Sequence, residues 1–175
     1  MLNNKPKGFT VVVEDESIFT YENRIKKKWA KKGSKPRIIQ IGTKQKSCVF
    51  GSLTENGQQI FRQYPKCNQD YFLKYVKELK RKFAKIILYL DRAPWHKTSQ
   101  AVAQYFKKHQ DEIVVKWLPP KWPELNPVEE CWHQGKNANK LGLKYHPTYQ
   151  GFKSSITDYY RTRHFKLNLF KYLCQ

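Results

Sequence analysis

Acidic side chains are scarce in this sequence: 14 Asp and Glu stand against 34 Lys and Arg in 175 residues, a formal net charge of +20. A field of that sign disfavours basic partners and favours a polyanion, nucleic acid ahead of an acidic protein. Long apolar runs are missing as well, and no stretch approaches the roughly 20 residues that a membrane span requires. The opening MLNNKPKGFT places no apolar segment behind its lysines, so no secretory signal is visible. Cysteine is limited to Cys48, Cys67, Cys131 and Cys174, far apart and without a CxxC pair. That spacing argues against a disulfide framework, and Cys131 and His133 lack a second ligand pair at zinc-finger spacing. Reduced intracellular thiols are the expectation. With 39% hydrophobic and 15% aromatic residues, the chain still has material for one compact domain with a core, and too little length for two large ones.

What is there reads as strands first and then alternating helices and strands. Phe9 to Val13 is a short apolar run rich in β-branched residues, ending in Glu14-Asp15-Glu16-Ser17, and predicts a strand buried on both faces. Arg24 to Arg37 holds eight Lys/Arg in fourteen residues around Trp29 and Gly33. The runs RIIQIGT, from Arg37, and KSCVFGSL, from Lys46, predict two further strands in a meander with the first. Asn56-Gly57 is the strongest hairpin-turn signal. From Asp70 to Phe83 the apolar residues Phe72, Tyr75, Val76, Leu79 and Phe83 fall at helical spacing, with lysines on the other faces. Ile86 to Leu90 is again strand-like. Thr98 or Ser99 can cap a helix with Val102, Tyr105 and Phe106 on its inner face. Ile113 to Leu118 predicts a strand stopped by Pro119-Pro120, and Asn126-Pro127 opens a helix, Asn suiting the N-cap and Pro the first helical position. The last forty residues read as mostly helical. This order implies α/β with a mixed sheet. A crossover through the Phe72 helix makes the Ile86 strand parallel to the first, so Asp15 and Asp91 reach one sheet edge, where open α/β sheets hold their sites.

Three acids are therefore the chemical candidates: Asp15 after VVVE, Asp91 after ILYL, and one of Glu124, Glu129 and Glu130 in WPELNPVEECW. Carboxylates converging on one cleft repel unless cations lie between them, and Mg²⁺ suits such hard oxygen donors. Two such ions can activate a nucleophile and stabilise the leaving oxygen at a phosphodiester. Each residue also has a plainer role open to it. Asp15 and Asp91 can cap turns, and Asn126-x-x-Glu129 is arranged like a capping box. His96 can be a loop hydrogen-bonding residue or a general base. The lysine run can be a solvated face or a DNA contact. Trp95, Trp122 and Trp132 can be core residues or stacking platforms.

Four segments carry a resemblance: VVVEDES; Trp29-Ala-x-x-Gly-Ser-x-Pro36; ILYLDRAPWHK; and WLPPKWPELNPVEECWHQGK. In this order they resemble the mariner superfamily of DDE transposases, most of all its prokaryotic insertion-sequence branch, over residues 9 to 140. The resemblance implies a ribonuclease H-like fold, a mixed five-stranded sheet flanked by helices, in which three acids bind Mg²⁺ or Mn²⁺, two ions in the family. Carried over by position, the catalytic and metal-binding triad is Asp15, Asp91 and Glu129, Glu129 because the family acid directly follows the Asn-Pro-aliphatic unit. The implied reaction is hydrolysis at transposon ends followed by strand transfer into target DNA. Lys26, Lys27, Lys28, Lys31, Lys32, Arg92, His96, Lys97 and Lys121 are the expected phosphate contacts, giving affinity that falls with salt. There are two departures: Arg92 stands where the family often has Asn, and the family's upstream helix-turn-helix modules have no counterpart. The expectation is thus a single catalytic domain over 1–175, partnered by double-stranded DNA, a possible homodimer mate and a separately encoded N-terminal DNA-recognition polypeptide. Its expected place is cytoplasmic, at the nucleoid.

Overall fold

The computed structural model describes residues 5–22, 29–35, 37, 39–120, 122–138, 141 and 144–173. Five strands form one mixed sheet in the order β3-β2-β1-β4-β5. They are β1 (Thr10–Thr20), β2 (Lys46–Thr54), β3 (Gln59–Tyr64), β4 (Ile86–Leu90) and β5 (Ile113–Trp117). β1 runs antiparallel to β2, and β2 to β3, through a turn at Gly57, whose φ of 76° is one that glycine adopts without strain. β4 is parallel to β1, with Thr10 opposite Ile86 and Val13 opposite Tyr89, and β5 is parallel to β4. The expected mixed five-stranded α/β sheet is the one observed.

Alternation along β1 and β4 sorts residues between two cores. On one face Val12, Leu88 and Leu90 pack on Phe72, Tyr75, Val76 and Leu79 of α1 (Gln69–Phe83) and on Val102 of α3 (Gln100–Lys108). On the other, Val11, Val13, Ile87 and Tyr89 pack on Trp132 of α4 (Pro127–Asn137) and on Phe152, Ile156 and Tyr160 of α5 (Tyr149–Thr162). The helix starts follow their caps. Asn68 Oδ1 accepts from Tyr71 N–H, Ser99 Oγ from Val102 N–H, and Asn126 Oδ1 from Val128 N–H with Pro127 in the first position. A four-residue helix, α2 (Pro94–Lys97), follows β4, and a short α6 (Phe170–Leu173) follows α5. Among the described residues no helix is long and apolar enough to cross a membrane.

Three expectations are corrected. First, β1 does not stop at Val13 but runs to Thr20, paired along β2 from Val12 opposite Thr54 to Thr20 opposite Lys46, so Asp15 lies inside a strand. Second, the described residues of Arg37 to Thr43 form no strand. Glu22 accepts the backbone N–H groups of Ile41 and Gly42, each at 2.8 Å, and Tyr21 N–H bonds Gln45, which brings the chain directly into β2. The fifth strand is Gln59–Tyr64 instead. Third, Cys48 and Cys67 form a disulfide, with Cα atoms 5.5 Å apart, where reduced thiols were expected. The pairing depends on β2 passing beside the approach to α1, a juxtaposition that cysteine spacing does not reveal.

Candidate active site

The β1–β4 ladder ends at Val13 opposite Tyr89. Two residues further along β1, Asp15 lies on the same face as Val13, towards α4, and Asp91, the first residue past β4, lines the same cleft. β4 stops at Leu90, while Leu118 N–H, just past β5, bonds Leu90 O at 2.8 Å, and the chain then turns away through Pro119 and Pro120. The gap so left is a cleft of about 290 Å³ lined by Asp15, Asp91, Arg92, Asn126, Glu129 and a wall of Leu118, Pro119, Pro120, Trp122 and Pro123. Glu129 enters it from the first turn of α4. Its capping-box alternative is not used, since Asn126 N–H donates to Pro123 O at 2.9 Å.

Asp15 is the most constrained of the three acids. It is buried, and Trp132 Nε1–H donates to its Oδ2 at 2.7 Å. Burial, then the negative charges of Glu129, Glu16 and Asp91, hold its carboxyl well above the usual carboxylate range despite that hydrogen bond. Trp132 itself is wedged between Phe19, Phe61 and Tyr160. Its ring lies over Gly51, the β2 partner of Asp15, where a Cβ would stand 2.5 Å from the indole, so only glycine leaves room.

Asp91 is only half-buried, and burial, which alone would raise its pKa, is outweighed by hydrogen bonds from His96 and from Ala93 N–H. Both reach the same oxygen, Oδ1, each at 2.9 Å. The other ring nitrogen of His96 lies 3.0 Å from Glu16 Oε1, which also accepts Trp95 Nε1–H at 3.0 Å. Ionised carboxylates only accept, so the arrangement suits an imidazolium donating from both ring nitrogens. Burial opposes the charge on His96, yet the bonds to Asp91 and Glu16 prevail and push its pKa up to about 9. Beside it lies Glu14, wholly buried, with neither carboxylate oxygen hydrogen-bonded among the described residues. Burial first, then the charges of Glu16, Asp15 and Asp91, hold Glu14 well above the usual range. One ligand atom each from Glu14, Glu16 and His96 lie within 4.8 Å of one another.

Asp15, Asp91, Glu129 and Arg92 thus share one cleft. Arg92 is exposed, with Nε donating to Leu118 O at 3.3 Å. Lys97, Lys31 and Lys32 are exposed, Lys97 over the Trp117 ring. His96 is corrected: at 3% exposure, with its imidazole 4.2 Å from the Phe72 ring centre, it cannot meet a phosphate backbone. Lys26, Lys27, Lys28 and Lys121 lie outside the described residues. Of the tryptophans, Trp132 is core, Trp95 is half-buried on Glu16, and Trp122 stands 56% exposed at the cleft. Sequence reasoning missed Trp132, Glu16 and Glu14 as parts of the site. Two signals were available: Trp132 follows Glu129 by three residues on one helix, and period two puts Glu14 and Glu16 on the face opposite Asp15.

Known proteins share this architecture. Residues 10–149 match the model of the family described as DDE superfamily endonuclease. The uncharacterised protein y4pE/y4sA of Sinorhizobium fredii is 37% identical over 88 residues, 48% of this chain and 61% of that protein. Among solved structures, a Mos1 transposase paired-end complex with the left transposon end matches with a TM-score of 0.65 and 17% identity, over 98% of this chain and 52% of that one. A Mos1 mariner paired-end complex with Mn matches with a TM-score of 0.60 and 19% identity, over 98% and 53%. The chain therefore spans about half the length of the solved chains it matches, and at these identities the likeness is one of fold. With four-fifths of its length matched by one family model, the chain belongs to the DDE superfamily endonucleases.

Proposed function

We propose that this chain is the catalytic domain of a DNA transposase of the mariner superfamily, cutting element ends and joining them to target DNA with Mg²⁺ or Mn²⁺. The observation that carries this reading is the cleft itself. Three carboxylates from β1, from the end of β4 and from the start of α4 line one gap in a chain of net charge +20. The donor set fits a hard divalent cation, being carboxylate oxygens without sulfur. So does the unfavourable burial of Asp15 beside Glu129 and Asp91, which a cation among them would offset. Asp15, Asp91 and Glu129 would hold the ions, two in this reading, and the ions would supply an activated water or 3′-hydroxyl and charge stabilisation at the phosphodiester.

The chain's own residues do the rest. Trp132 holds Asp15, Asn126 and Pro127 fix the start of the helix bearing Glu129, and Arg92 at the cleft offers a cation to the phosphate beside the scissile bond. Exposed Lys31, Lys32 and Lys97 extend the basic surface to the DNA backbone, with Lys26, Lys27, Lys28 and Lys121 in the same role. Trp122 presents an aromatic face to a base at the cleft mouth. The molecule works at DNA in the cytoplasm, as one of a pair when two ends are joined. Incubation with supercoiled plasmid tests this: nicking should need Mg²⁺ or Mn²⁺ and disappear in Asp91→Asn. Salt-sensitive DNA binding without nicking in the parent chain would instead identify an idle DNA-binding remnant.

A further inference from the structure

Among the described residues, no backbone pairing past Val13 and Tyr89 ties the Asp91 segment to β1. A chain of side chains takes over there. Glu16 of β1, whose side chain is only 5% exposed, holds one nitrogen of His96, and the other holds Oδ1 of Asp91 at 2.9 Å. Trp95 Nε1–H fastens Glu16 from the same short helix, and the Phe72 ring closes against the imidazole. Ala93 N–H takes the same Oδ1, so two donors fix one oxygen of Asp91 and Oδ2 is the oxygen left for a cation.

We infer that Glu16 and His96 are positioning residues for Asp91: the Glu16–His96–Asp91 chain spans the end of the ladder and locks the Asp91 carboxylate in the orientation that the cleft uses. Neither residue touches substrate. Adjacent residues of β1 then serve one centre from opposite faces of the sheet, Asp15 directly and Glu16 through His96. A carboxylate at the mouth of a loop would otherwise sample several rotamers, and a ligand held by a neighbour's ring N–H presents one geometry. Glu16 fixes the orientation of the imidazole from one ring nitrogen while the other nitrogen holds Asp91.

This inference rests on the proposed metal-dependent reading of the cleft, and the test separates the two. In the full chain, Mn²⁺ binding is measured by titration of the free-ion electron paramagnetic resonance signal for the parent, Asp91→Asn, His96→Phe, His96→Gln, Glu16→Gln and Glu14→Ala. Thermal melting and Mn²⁺-dependent nicking are followed in parallel. His96→Phe keeps the ring on Phe72 and removes both N–H donors, and should raise the Mn²⁺ dissociation constant about ten- to a hundredfold. His96→Gln keeps a single donor nitrogen and should fall between parent and His96→Phe. Glu16→Gln should shift the constant in the same direction, and in each variant saturating Mn²⁺ should recover much of the nicking rate. Parent-like Mn²⁺ affinity in His96→Phe and His96→Gln, with only a lowered melting temperature, would reduce the pair to packing and overturn the inference. So would loss in Glu14→Ala of a bound Mn²⁺ that Asp91→Asn retains, since the cluster would then hold its own ion. Asp91→Asn binding Mn²⁺ like the parent would overturn the reading of the cleft instead.

Discussion

Asp15 accepts a hydrogen bond from Trp132 at 2.7 Å while buried against other acids. A carboxylate so placed depends on its donor, and a phenyl ring would keep an aromatic contact with Phe19, Phe61 and Tyr160 while leaving the space over Gly51 partly unfilled. Trp132→Phe should therefore leave the fold in place and cost ~1–3 kcal/mol from the orphaned carboxylate. Mn²⁺-dependent nicking should fall about tenfold or more, as for other residues that orient a metal ligand. Urea denaturation and plasmid nicking read the two effects, and unchanged nicking would remove Trp132 from the site. Arg92 illustrates the opposite case, an exposed cation whose place at the cleft mouth comes from the turn after β4 rather than from burial.

At the scale of elements, what could be read in advance depended on local signals. The helix Gln69–Phe83 was visible from its spacing, the β2–β3 turn from Asn56-Gly57, and the start of α4 from Asn126-Pro127. β4 was visible because its five-residue apolar run is too short for a buried helix and rich in β-branched and aromatic residues. The second half of β1 was hidden: Glu14 to Ser17 is polar and reads as a strand terminus, and the strand character of the segment comes from pairing with β2 some thirty residues away. Asp91 could be proposed from a local strand end. Asp15 reads as lying at a strand end that the structure extends to Thr20, and only the family resemblance separates Glu129 from Glu124 and Glu130. Their supports could not be proposed, because Glu16 meets His96 and Trp132 meets Asp15 across 80 and 117 residues. The Cys48–Cys67 disulfide is hidden for the same reason. It joins residues 19 apart across the β2–β3 hairpin, and a loop of that size stabilises the fold by ~3 kcal/mol. Reduction, or Cys67→Ser, should lower the unfolding free energy by about that amount in urea. Native alkylation without reductant should spare Cys48, Cys67 and also Cys131, whose thiol burial and the charge of Glu130 push up to about 12. An unmoved urea midpoint, with Cys48 and Cys67 alkylated before reduction, would contradict the crosslink.

For the whole molecule, the charge distribution and the cleft make one arrangement. A surplus of 34 − 14 = 20 positive charges draws a polyanion to the surface, while three of the 14 acids line one gap at the edge where the parallel strands end. The sheet separates two polar systems about β1: Asp15 on the α4 side, and Glu14 and Glu16 with His96 on the α1 side. Which of them takes a divalent cation decides the account. A crystal of the chain soaked in Mn²⁺, with the ion located by its anomalous scattering, answers this directly. The account predicts Mn²⁺ in the cleft with Asp15, Asp91 and Glu129 as its protein ligands; a cleft without Mn²⁺, or Mn²⁺ seated only among Glu14, Glu16 and His96, would contradict it.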